Sequence, residues 1–137
     1  MRVCIAYNST KGQKIADFAK ALGKGIEKQL SNSVVDIIDI AKDSDKRLTG
    51  YSYIVFGSEK TSIFNLKVNK QISHFLKNCG HITGKHTFAF TSNGFNSQKF
   101  LNNFMKTIES EGVLLKSSAL ISSTEEAEVI GSKLHIK

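Results

Sequence analysis

Two hydroxyls, two lysines and a glycine fall within the six positions Ser9–Lys14, directly behind the apolar run Arg2-Val3-Cys4-Ile5-Ala6-Tyr7. A phosphate at a helix N-terminus is held mainly by backbone amides, with hydroxyls as added donors. Ser9 and Thr10 supply hydroxyls, and Gly12 takes turn geometry that other residues resist. Lys11 and Lys14 add positive charge suited to a phosphate dianion. The alternative is structural, with Ser9 and Thr10 only capping the helix that follows.

Two later loops carry the remaining candidates. Gly57-Ser58-Glu59-Lys60 leads into a polar stretch containing Phe64, and Thr91-Ser92-Asn93-Gly94-Phe95-Asn96 follows another apolar run. Their small polar residues and backbone groups suit hydrogen bonds to the edge of a flat ligand. Phe64 and Phe95 either stack on such a ligand or act as staples into their own helices. A carboxylate and an ammonium on adjacent residues, Glu59 and Lys60, would act in opposite senses on a neighbouring charge.

Alternating strands and helices must position these loops. Residues 2–7 read as a strand. Ile15, Phe18, Ala19, Leu22, Ile26 and Leu30 recur three and four apart, which predicts an amphipathic helix over 13–30. Val34–Ile40 reads as a second strand, and the polar segment 41–50 as a loop or short helix. Tyr53-Ile54-Val55-Phe56 is a nearly continuous apolar run, as in buried parallel strands. A helix over 66–76, a strand over 86–90, a helix around Phe100–Ile108 and a strand within 113–121 follow. A closing helix spans 125–134, where Gly131 runs against helix propensity. This alternation predicts a parallel sheet covered on both faces, with the three loops gathered at its carboxyl edge.

Composition narrows the function classes. The chain has 137 residues, 40% of them hydrophobic, which fits one globular domain over 1–137. Cys4 and Cys79 lack the spacing of a disulfide framework or a metal site, and Cys4 reads as a small core residue. His74, His81, His86 and His135 form no ligand-like spacing, so no metal is expected. The apolar runs are too short for a membrane span or a secretory leader, which predicts a cytoplasmic protein with no membrane partner. The net charge of +7 comes from scattered lysines, without the basic-aromatic pattern of an RNA module. Nucleic acid is therefore not an expected partner, and acidic partners or anionic ligands are. Gly12 lacks the following Gly-Lys-Ser/Thr of a nucleotidase loop. A phosphoacceptor receiver would need acidic residues where Tyr7-Asn8 and Gly57-Ser58 stand. No nucleophile elbow or evident general base points to a hydrolase.

Taken together, the three loops resemble those of the flavodoxin family. Ser9, Thr10, Gly12 and Gln13 stand in the places of its phosphate loop, Ser/Thr-x-Thr-Gly-Asn/Gln-Thr, with Lys11 and Lys14 where threonines are usual. Gly57-Ser58 is similar to the family's turn after the third strand, and Ser92-Asn93-Gly94 to the turn beyond the fourth. The closing segment, from Glu125 to Leu134, is similar to the final helix. The resemblance implies a short-chain α/β three-layer sandwich with a five-stranded parallel sheet of order 2-1-3-4-5. It implies FMN held noncovalently by Ser9, Thr10, Lys11, Gly12, Gln13, Lys14, Gly57, Ser58, Glu59, Phe64, Ser92, Asn93, Gly94 and Phe95. The implied role is electron transfer to a redox partner protein. Carriers of this family are acidic, so the basic charge here implies an acidic-surfaced partner. The other function weighed is a flavodoxin-fold binding or regulatory module without flavin, suggested by Lys11, Lys14, Glu59 and the lack of tryptophan.

Overall fold

The computed structural model describes residues 1–136. Its elements run β1 (Arg2–Asn8), α1 (Lys14–Gln29), β2 (Val34–Asp39), β3 (Tyr53–Ser58), α2 (Lys70–Asn78), β4 (His86–Ser92), α3 (Ser97–Glu109), β5 (Leu114–Ile121) and α4 (Thr124–Lys133). The strands form one sheet in the order β2-β1-β3-β4-β5. All four pairings are parallel, as the alternating pattern predicts. The pairing of β4 with β5 slips at Thr87 and Phe88.

Alternation along β1 divides the core. Cys4 and Ala6 face the layer of α2 and α3, where Ile72, Phe75, Phe100 and Phe104 pack. Val3 and Ile5 face the opposite layer, with Ile15, Leu22 and Ile26 of α1 and Ala127 of α4. β3 is buried at all six positions, which explains its continuous apolar sequence. Cys4 is a fully buried core residue, and burial pushes its thiol up to about 12.

One helix starts later than expected, and the loop alternative holds for the segment 41–50. Residues 66–69 are not helical, because Asn69 caps α2 by accepting the Gln71 amide at 2.8 Å. The segment 41–50 forms turns, yet buries Leu48, whose amide donates to Cys79 O at 2.6 Å. Gly131 is buried within α4 despite its low helix propensity. A Cβ there would lie 2.2 Å from Leu22 O, and one at Gly25 would lie 2.1 Å from Glu128 O. The two glycines let α1 and α4 approach backbone to backbone, which outweighs the propensity lost within α4. Lys28 and Glu128 clasp the same helix pair from outside at 2.6 Å. That ammonium holds the Glu128 carboxyl below its usual range. No described helix is long and apolar enough to cross a membrane.

Candidate functional site

Parallel strands bring the β1–α1, β3–α2 and β4–α3 loops to the carboxyl edge of the sheet, at the place where strand order reverses between β1 and β3. Asn8 and Ser58 are register partners at the ends of β1 and β3, and both are fully buried. Their loops therefore leave the sheet side by side.

The first loop is a formed anion cradle. The amides of Thr10 and Lys11 converge on a single oxygen, at 2.8 and 2.9 Å. The Thr10 hydroxyl donates to the same oxygen at 3.0 Å, and the Ser9 hydroxyl approaches it at 3.4 Å. That oxygen is Oε1 of Glu59, from the second loop. Gly12 has φ +64° with open space where a Cβ would stand, so the turn uses the left-handed geometry glycine provides. The Ser9 hydroxyl also lies 3.0 Å from Gly12 O. Neither Ser9 nor Thr10 caps α1: the N-cap residue is Gln13, which makes no side-chain capping bond. Lys11, Gly12, Gln13 and Lys14 are exposed, and among the described residues neither lysine forms an ion pair.

The second loop is tied in two directions. Glu59 reaches back to the first loop, whereas the Lys60 ammonium donates to Ser97 Oγ at 2.9 Å, at the start of α3. Asn96 Nδ2 donates to Ile63 O at 3.2 Å and makes a second link to the third loop. Asn96 takes a left-handed conformation, φ 60°, which its short polar side chain tolerates. Asn93 is fixed to the end of β5 by its amide on Ile121 O at 2.8 Å, and its Nδ2 donates to Ser122 Oγ at 3.1 Å.

Other sequence candidates fall into distinct roles. Gly57 is buried against Phe90, whose ring would lie 2.2 Å from a Cβ at that position. Ser58 is buried, and its hydroxyl lies 3.4 Å from Glu59 O. Ser92 ends β4 and Gly94 turns beside the Lys60 ammonium. Phe64 and Phe95 are 83% and 68% exposed. Neither is a staple into a helix, so both leave a large apolar face to solvent.

Asn8 and Ser97 lay outside the sequence candidates, and Lys60 and Asn96 were read as parts of their loops without being assigned to the flavin site. Asn8 is a polar residue ending a buried strand; its Nδ2 donates to Gln71 Oε1 at 2.9 Å, while its buried Oδ1 has no partner. Tyr7, one residue earlier, has its phenol pushed up by burial and by the carboxylates Asp39 and Asp43. A cavity of about 510 Å³ opens elsewhere, between α1 and α4, lined by Asp17, Lys20, Lys24, Glu125 and Glu128 among others. It includes no residue of the three loops, so the functional candidate is the surface cradle.

This architecture is shared with solved flavodoxins. A flavodoxin from the domain Archaea superposes with a TM-score of 0.71 at 17% identity, over 96% of this chain and 94% of that one. Oxidised flavodoxin 1 from Bacillus cereus gives 0.71 at 15% identity, over 95% of each chain. An azoreductase from Bacillus anthracis gives 0.69 at 9% identity, over 98% of this chain and all of that one. No family model matches the chain, and no curated protein does by sequence. The fold is flavodoxin-like, as the loop resemblance implied.

Proposed function

We propose that this chain is a single-domain flavodoxin-like protein that binds FMN at the β1–α1 cradle and passes electrons to a protein partner. The observation that carries this reading is the convergence of the Thr10 and Lys11 amides on one anionic oxygen. A phosphoryl oxygen makes the same demand on donors as the carboxylate oxygen now there, so the donor set fits the phosphate of FMN. Lys11 and Lys14 add charge for the dianion. Phe64 and Phe95, exposed on the two loops beyond, offer flat apolar surface for the ring.

Bound FMN supplies reversible electron transfer. The chain's own residues then have three tasks. Ser9, Thr10 and Lys11 hold the phosphate, Gly12 gives the turn its shape, and the second and third loops shield the ring from water. The Lys60 ammonium, held on Ser97 Oγ between the second and third loops, adds positive charge to that edge of the sheet. The net charge of +7 favours a partner with an acidic surface. A cytoplasmic location is part of this proposal.

A second reading, a flavin-free binding or regulatory module, is favoured by one observation: the chain's own Glu59 fills the cradle. Titration of the purified protein with FMN and with riboflavin, followed by flavin fluorescence, separates the two. The FMN reading predicts quenching at micromolar FMN and weaker binding of riboflavin, which lacks the phosphate. Absence of FMN binding at high micromolar concentration supports the flavin-free module instead.

A further inference from the structure

We infer that Glu59 is a built-in competitor for the phosphate cradle, so that a ligand phosphate enters only by displacing its carboxylate. The inference rests on the preceding reading for the identity of the cradle's ligand. The argument begins with geometry. Glu59 Oε1 accepts from the Thr10 amide at 2.8 Å, the Lys11 amide at 2.9 Å and the Thr10 hydroxyl at 3.0 Å. These donors have no second anion position to offer while that oxygen is in place. A carboxylate and a phosphate within hydrogen-bond distance of one another repel, so the two cannot share the site.

The surroundings permit exchange. Glu59 is only half-buried, and its side chain is the part of the second loop that crosses to the first. The loop's links to α3 and the third loop, Lys60 to Ser97 and Asn96 to Ile63, do not involve the carboxylate. Rotation of one side chain therefore opens the cradle without moving the sheet. Once Glu59 has left, Lys11 and Lys14 remain beside the cradle, and the local charge favours a dianion over a monoanion. Glu59 thus holds the empty loop in shape and sets a threshold for the anion that replaces it.

The test compares wild type with Glu59→Gln, which keeps the length and removes the charge, and with Glu59→Asp, which keeps the charge and shortens the reach. Thermal unfolding first establishes that each variant is folded. The probe is inorganic phosphate, read by the amide resonances of Thr10 and Lys11, with FMN titrated in parallel. Glu59→Gln is expected to bind phosphate at least tenfold more tightly than wild type, with Glu59→Asp also tighter. Equal phosphate affinity across the three proteins, or no phosphate binding in any, overturns the inference. FMN binding that is equal in all three also overturns it, while sustaining the FMN reading. Tighter phosphate binding in Glu59→Gln with no FMN binding in any of the proteins sustains the competitor and overturns the FMN reading.

Discussion

Thr10 gives both its backbone amide and its hydroxyl to one oxygen of Glu59, at 2.8 and 3.0 Å, across 49 residues of sequence. A hydrogen bond to a charged group contributes roughly 1.5–3 kcal/mol when well shielded, and less on a half-exposed loop. Glu59→Ala is therefore expected to lower the unfolding free energy by about 1 kcal/mol. The same change is expected to raise affinity for phosphate. Chemical denaturation beside a phosphate titration checks the opposite signs, and a variant that loses both stability and affinity contradicts this account.

Gly12 offers a cleaner way to close the cradle. Its φ of +64° makes any side chain strained there, but no atom lies within 4 Å of the position a Cβ would take. Gly12→Asp should cost only about 1 kcal/mol, since aspartate tolerates the left-handed region better than most residues. Its carboxylate repels a phosphate from the amides beside it. FMN binding is expected to be lost while circular dichroism and the unfolding midpoint stay close to wild type.

Gly25 and Gly57 serve packing instead. A Cβ at Gly25 would meet Glu128 O at 2.1 Å, and one at Gly57 would meet the Phe90 ring at 2.2 Å. The first obstacle is backbone and the second a fully buried ring, so neither can give way easily. Either alanine variant is expected to lose about 1–3 kcal/mol through overpacking. Gly25→Ala acts through the α1–α4 contact, remote from the cradle. A thermal melt that leaves the midpoint of Gly25→Ala unchanged would refute the close helix approach described above.

Stability should fall at alkaline pH. Burial pushes Cys4 from 9.0 up to about 12 and Tyr53 from 10.0 up to about 12. Below pH 9 both groups are protonated whether the chain is folded or not, and their contribution is fully present. Above it the unfolded chain releases its protons first, so the contribution falls away between about pH 9 and 12. Each group adds a slope of up to roughly 1.4 kcal/mol per pH unit. Denaturation midpoints measured across that range report the loss. A Cys4→Ala variant should show a shallower decline, although the cavity it leaves lowers its stability throughout.

The parallel sheet and the gathering of three loops were legible because they follow from alternating periodicities and parallel connections, which are local signals; the strand order came only with the resemblance of the loops to the flavodoxin family. Buried β3 announced itself as a continuous apolar run. The direction of Glu59 was not legible. A long side chain on an irregular loop has no periodicity to place it, and its donors lie some fifty residues away, at Thr10 and Lys11. Gly131 misled for a related reason. Propensity weighs a residue within its own helix, whereas this glycine is required by Leu22 O of another. The late start of α2 was carried by a single capping side chain, Asn69, within a stretch whose apolar spacing extended further. Phe64 and Phe95 stood open between stacking and stapling, and their exposure removes the second choice.

The amide resonances of Thr10 and Lys11 during an FMN titration of the wild-type protein test the central claim most directly. Binding at the cradle predicts that both move together and saturate at micromolar FMN, while riboflavin at the same concentrations leaves them largely unmoved. Resonances that stay in place up to high micromolar FMN would contradict it, and would leave the loop as a cradle for Glu59 alone.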